Sequence, residues 1–304
     1  MHELALLIAA TLAAGTPLAL AGLGLLVNEK AGVVNLGAEG IMLMAAIAGF
    51  AAAAASGNQW LGFAAGAGVG VLLAACSGAL MLWLGTNQYA TGLALSLFGA
   101  GLSALLGLQD VGRTLPGFAH PGLPWLAGLP FVGQAFFGQH LLVYATMLLA
   151  LLVHLFLQRS RAGLVLRAVG EAPESAHALG YPVRRIRLYA LLFGGALCGL
   201  AGAYLSVVYT PMWVQGMSAG RGWIALALTS FATWRPGRLL LGAYLFGGIT
   251  MLQFALQGAG VQFPSQLLAM LPYLATIVAL ALMARDPRWI RLNMPASLGK
   301  PFRP

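Results

Sequence analysis

Charge is what this chain has least of. Only 8% of its 304 residues are Asp, Glu, Lys or Arg, against roughly 25% in a soluble domain, and a surface facing water cannot be covered with so few. Acidic residues number seven and cysteines two. Cys76 and Cys198 each fall within an apolar run, where they suit small packed hydrophobes and not a disulfide framework or a thiolate metal site. The five histidines, His2, His120, His140, His154 and His177, show no ligand spacing. The sequence has no phosphate-cradling Gly-x4-Gly-Lys-Ser/Thr stretch and no evident Ser/His/Asp set. Bond chemistry by the chain itself, ATP hydrolysis included, is therefore not expected.

Apolar sequence is abundant instead, with 60% hydrophobic residues. Runs of about 18 or more recur from end to end, each long enough to cross a hydrocarbon core of about 30 Å as a helix. They predict an all-α, polytopic membrane protein of about nine transmembrane helices, near 4–27, 36–55, 60–84, 88–108, 139–158, 188–209, 218–234, 239–257 and 266–284. Residues 1–304 form one transmembrane domain on this basis. Its two longest connectors, a Pro/Gly-rich loop at 109–138 and a basic segment at 159–187, are too short to house a catalytic domain. Residues 4–27 lack a basic n-region and exceed the usual 7–15-residue apolar core of a secretory signal, so a retained first helix is expected.

The formal charge of +9 would suggest nucleic acid in a soluble protein, but its distribution points to lipid. If 159–187 is cytoplasmic, alternation places Lys30, Arg235, Arg238, Arg285, Arg288, Arg291, Lys300 and Arg303 on that side with Arg159, Arg161, Arg167, Arg184, Arg185 and Arg187. Only Arg113 and Arg221 fall opposite, as the positive-inside rule expects. The N-terminus is then outside, the C-terminus cytoplasmic, and no nucleic-acid partner is required. Glycines recur at helical intervals, as in Gly62-x3-Gly66-x3-Gly70 and Gly195-x3-Gly199, which predicts close helix crossings. The seventh run is short, because Arg221 and Arg235 bound it. Either residues 210–220 are re-entrant or interfacial, or that helix begins near Met217.

Glu39 is the one acidic residue inside these predicted spans, and a charge facing lipid at mid-bilayer costs roughly 2.5–3.5 kcal/mol by insertion scales. Its carboxylate must face protein or water, either along a translocation pathway or against a neighbouring helix. Asn35, four residues earlier, is expected on the same helix face. Asn87, Gln88 and Thr91 form a second polar group, with N-terminal capping as the alternative to a pathway role. Gln253 and Gln257 form a third pair. Long uncharged amides suit the passage of a neutral polar solute, whereas a proton path calls for several buried carboxylates or histidines.

In the basic connector, Glu171 to Gly180 reads as a short capped helix. Pro173 suits its first turn, Glu171 and Glu174 lie at its N-terminal end, and Gly180 can close it in the left-handed conformation. Two roles suit it: a surface helix at lipid headgroups, or a grip for a soluble motor.

At these residues the chain resembles the permease subunits of bacterial ABC importers in the branched-chain amino-acid and simple-sugar superfamily, and most of all the nucleoside branch. The resemblance rests on Glu29 to Met42, Asn87 to Ala94, Gly170 to Gly180, Gly220 to Ala227, and Pro264 to Leu268 with Met270 to Tyr273. It implies a type II importer permease in the bacterial inner membrane, paired with a second permease subunit, expected as a heterodimer. It further implies an ATPase subunit that binds ATP and Mg and docks on Glu171, Pro173, Glu174, Ala178 and Gly180. An extracytoplasmic binding protein would deliver a nucleoside or purine-type solute, with a simple sugar or branched-chain amino acid as the alternative cargo. Asn35, Glu39, Asn87 and Gln88 would lie near the pathway, and the chain itself would carry no cofactor.

Overall fold

The computed structural model describes residues 2–118, 132–258 and 293–302, with isolated positions between 267 and 278. The named elements are helices: α1 (His2–Lys30), α2 (Ala38–Ser56), α3 (Gln59–Leu82), α4 (Gln88–Leu106), α5 (Leu141–Arg159), α6 (Arg161–Glu171), α7 (Pro173–Ala178), α8 (Val183–Tyr204), α9 (Arg221–Phe231) and α10 (Pro236–Gly258). A π-helical turn at Leu205–Tyr209 prolongs α8, and another precedes α5 at Gly133–Phe137.

Among the described residues, seven helices are long and apolar enough to cross a membrane: α1, α2, α3, α4, α5, α8 with its π turn, and α10. The span expected at 218–234 is not among them. It is the 11-residue α9, which rises about 17 Å and so covers only part of a core of about 30 Å. The span expected at 266–284 lies outside the continuously described residues.

Helices α1, α2 and α3 each pack along α8, with α10 laid against α1 and α4 against α2. Glycine makes these crossings close. A methyl group added to Gly70 would meet the Gly195 carbonyl oxygen and Gly199 Cα, one added to Gly66 would meet Ala203 and the Gly199 oxygen, and one added to Gly62 would meet the Gly49 oxygen. The two spaced glycine series noted in the sequence are thus opposite sides of one α3–α8 seam, where backbones touch directly as small residues in lipid allow. Gly24 likewise meets Gly194 where α1 crosses α8.

The contact registers fix relative direction. Gly15 faces Ala243 and Gly22 faces Leu239, so α1 and α10 are antiparallel. Met42 lies under Gly202 and Ala46 accepts from Ser206 Oγ at 2.7 Å, so α2 and α8 are parallel. Lys30, the start of α8 and the start of α10 therefore share one end of the bundle, which accounts for the clustering of basic connectors inferred from alternation.

Three expectations need correction. Helix α1 continues to Lys30, so Glu29, like Glu3 in its first turn, is an acidic residue inside a helix long enough to span. Helix α2 starts at Ala38, so Asn35 shares no helix face with Glu39; its Oδ1 instead accepts from Gly37 N at 3.1 Å, and Gly32 turns with φ +84°. The basic connector holds two helices, because Ser160 caps α6 by accepting from Gly163 N before α7 begins.

The seam gives a paired test. Gly70→Ala should destabilise the purified chain by about 1–3 kcal/mol, the usual cost of overpacking. Gly68→Ala, on the same helix with open space around it, should be neutral or stabilising by up to about 1 kcal/mol. Thermal unfolding in detergent reads both, and equal midpoints would contradict the seam.

Candidate functional site

Two glutamates hold the two ends of α9. At its N-terminus, Glu39 Oε1 accepts from Ser218 Oγ at 2.5 Å and Gly220 N at 2.9 Å, while Oε2 accepts from Gly222 N at 2.7 Å. A helix start leaves amides without intrahelical partners and carries partial positive charge, so a carboxylate there is satisfied twice over. The approach must be close: Gly222 lies so near Glu39 that a Cβ would strike the Glu39 backbone. At the other end, Glu29 Oε2 accepts from Thr229 Oγ1 at 2.9 Å and Trp234 Nε1 at 2.5 Å. Thr233 and Trp234 adopt positive φ of 50° and 53°, a conformation costly for residues bearing a Cβ. Trp234 N donating to Thr229 O and Arg238 donating to Thr233 Oγ1 hold that turn.

The depth of this clamp follows from the packing. Glu39 stands one turn before Met42, and Met42 lies beside Gly202, so the carboxylate is near the midpoint of the Val183–Tyr209 run. Two stretches of irregular backbone reach this level, Ala31–Gly37 from the basic end and Thr210–Gly220 from the opposite one. Irregular backbone at such depth persists only where protein or a water-filled cavity satisfies it. Here Gln88 Oε1 accepts from Val34 N at 2.9 Å, Ser96 Oγ donates to Leu36 O at 2.7 Å, and Glu39 takes up the start of α9. Towards the opposite end from Lys30, Thr210–Gly220 is tied to the segment after α4 by bridges between Val111 and Trp213 and between Thr114 and Met212. Trp213 is fully buried, lying against Gly107.

At the basic end the segment Asn293–Phe302 is woven into the bundle. Arg187, wholly buried, donates to Ala31 O at 3.1 Å, Lys300 O at 3.3 Å and Ser297 Oγ at 2.9 Å. Ser297 donates through both N and Oγ to Gly170 O, and Lys30 Nζ donates to Asn293 O at 2.7 Å. Phe302 packs on a cluster of Val169, Ala176 and Val183 and meets the His177 ring edge-on. Helix α6, the Ala31–Gly37 stretch and the tail are thereby one hydrogen-bonded unit, and α7 packs on the tail through Ala176 and His177.

The sequence candidates divide accordingly. Glu39, Asn35 and Gln88 are buried together around the two irregular stretches. Asn87 is exposed and caps α4, accepting from Tyr89 N and Ala90 N at 2.9 and 3.1 Å. Thr91 shares a hydrogen bond with Thr86 at 2.8 Å. Gln253 is buried on α10 and Gln257 exposed on it, apart from the α9 clamp. Pro173 opens α7 with Glu174 in its first turn, Ala178 ends it, and Gly180 takes φ +88°. Glu171 ends α6 and accepts from Ala296 N at 3.4 Å. Sequence reasoning missed Glu29, Arg187, Ser218, Trp234 and Ser297; the one available signal was the polar, glycine-flanked stretch before Arg221.

A family model described as branched-chain amino acid transport system / permease component matches residues 7–284. The chain is 42% identical to a Haloferax volcanii protein, TsgC13, named as a candidate glucose ABC transporter permease, with 96% of this chain and 95% of that one covered. It is 30% identical to the nucleoside ABC transporter permease protein NupC of Lactococcus lactis, over 93% of each chain. A solved inward-facing structure, titled as a candidate metal-chelate type ABC transporter, superposes with TM-score 0.53 at 19% identity, covering 91% of this chain and 85% of that one. At that identity the likeness concerns fold alone.

Glu39→Leu should leave the Ser218 hydroxyl and two amides without an acceptor, at about 1–3 kcal/mol for each unsatisfied group. Glu39→Gln keeps an acceptor oxygen and should lose less. Thermal unfolding of the two purified variants measures the difference, and coincident midpoints would show that the carboxylate does not hold α9.

Proposed function

The chain belongs to the permease-component family of branched-chain amino acid transport systems and is an ABC transporter permease, and from that premise we propose that it forms half of the membrane channel of an importer for a neutral, sugar-bearing solute. It is a multi-pass membrane protein and a transport subunit, not itself an enzyme. The observation that carries the proposal is α9, a half-length helix entered through irregular backbone at mid-bilayer depth and held by Glu39 and Glu29. Interrupted helices of this kind mark substrate paths in transporters. Since Glu39 already fills the anion-attracting start of α9, a neutral cargo suits the site better than an anionic one.

A simple sugar is the first cargo, supported by the 42% identity to TsgC13 over nearly the full chain. A nucleoside is the second, supported by NupC and by the Glu29 to Met42 segment. Selectivity resides largely in an extracytoplasmic binding protein that hands the solute over.

Work enters from a separate ATPase subunit gripping α6 and α7 on the cytoplasmic side, the side that the positive-inside rule assigns to the basic end. Coupling needs a contiguous physical route, and one runs through named bonds. Movement of α6 passes from Gly170 to Ser297, from Ser297 to Arg187, and from Arg187 to Ala31. Glu29 and Lys30 then carry it to Trp234 and α9, and Glu39 returns it to α2. ATP binding on the partner thereby shifts the permease between outward and inward openings. A second permease subunit of the same fold completes the channel, and the cell inner membrane houses the assembly.

Proteoliposomes holding the full transporter test this. Arg187→Met should retain basal ATP hydrolysis but lower uptake per ATP at least about tenfold, equivalent to about 1.4 kcal/mol of lost coupling. Ala178→Pro, which breaks α7, should do the same. Wild-type coupling in both variants would remove the basic end from the mechanism. Uptake of labelled glucose, guanosine or leucine by the same vesicles assigns the cargo, and uptake that ignores ATP but follows an ion gradient would overturn the importer assignment.

A further inference from the structure

We propose that an anionic phospholipid of the leaflet at the basic end is a resident ligand of this chain, its acyl chain seated between α5 and α8 and its phosphate on Arg159, Arg161 and Arg185. A cavity of about 500 Å³ opens on this flank of the bundle. Its floor is Val27 of α1 and Ala190 of α8, both buried. One wall is Leu149, Leu152 and Phe156 of α5, and the other is Ile186, Tyr189 and Phe193 of α8. The amphipathic α6 closes the basic end with Ala162, Val165 and Leu166. The lining is almost wholly apolar, and Leu152 and Tyr189 are exposed, so lipid and not water reaches it.

Charge complementarity identifies the occupant. Each wall ends in an arginine set by helical register: Arg159 follows Phe156 by one turn in α5, Arg161 precedes Val165 by one turn in α6, and Arg185 precedes Tyr189 by one turn in α8. All three are exposed. No carboxylate among the described residues pairs with any of the three. Three unpaired guanidiniums at headgroup level above an apolar slot match a phosphate joined to a hydrocarbon chain. A neighbouring helix is a poor occupant, since a body about 10 Å across would fill the slot only in part.

The full transporter, purified from membranes in mild detergent and examined by native mass spectrometry, should retain phosphatidylglycerol or cardiolipin in preference to added phosphatidylcholine. Each Arg→Gln change among R159Q, R161Q and R185Q should lower that retention about fivefold, the factor equivalent to about 1 kcal/mol per arginine at an anionic surface. Ala162→Trp, which fills the slot and leaves every arginine, should lower retention of anionic and neutral lipid alike. Unchanged retention in the triple arginine variant would overturn the proposal, as would cross-linking of a Tyr189→Cys variant to a protein subunit. Lipid retention does not depend on cargo or ATP, so this result stands apart from the transport assays.

Discussion

A backbone amide or carbonyl inside a bilayer has no water to fall back on, and every departure from helix there must be satisfied by the protein. Among the described residues the chain departs from helix inside the bundle at Ala31–Gly37 and at Thr210–Gly220. The rest of its polar architecture is arranged around those two departures. Glu39 supplies acceptors to the start of α9, and Gln88 and Ser96 serve the stretch before α2. The scarcity of charge elsewhere is the other side of the same constraint. Among the described residues the buried carboxylates, Glu29 and Glu39, sit where hydrogen-bond donors converge.

The glycine seam and the two glutamates do different mechanical work. Where α3 meets α8 backbone to backbone, small changes of position meet hard contacts at once, so the seam behaves as a rigid block. Helix α9 has one such close approach, Gly222 against Glu39, and its two ends are also tied by directional hydrogen bonds to Glu39 and Glu29. The tail from Asn293 to Phe302 is bonded through Arg187 to Ala31, beside Lys30, whose ammonium lies over Trp234 just beyond α9.

Much of the fold was legible because lipid makes sequence simple. Apolar run length located each of the seven long helices to within a few residues, and spaced glycines at 62, 66, 70, 195 and 199 correctly marked a close crossing. The short distance between Arg221 and Arg235 announced that the seventh run was not an ordinary span. Side-chain partnerships were far less legible. Periodicity placed Asn35 on a helix that does not begin until Ala38, because an Asn-x-Gly turn outweighed the apolar pattern. Glu29 looked like part of a polar connector, and only the return of Thr229 and Trp234 from some 200 positions later explains its burial. Arg187 read as one of several headgroup-facing arginines, and nothing local distinguishes it from Arg185. Its partners are carbonyls and a serine in distant segments, which composition and spacing do not reveal.

The most direct measurement is backbone amide exchange across Ser218–Ile224 in the purified, unmodified chain, resolved by mass spectrometry and compared with the exposed turn at Ser56–Asn58. If the start of α9 is bound by Glu39 at mid-bilayer depth, the Gly220 and Gly222 amides exchange orders of magnitude more slowly than the exposed turn, despite lying at a helix end. Exchange of Ser218–Ile224 as fast as that turn would mean that α9 begins in water, and the account of a clamped half-helix would be wrong.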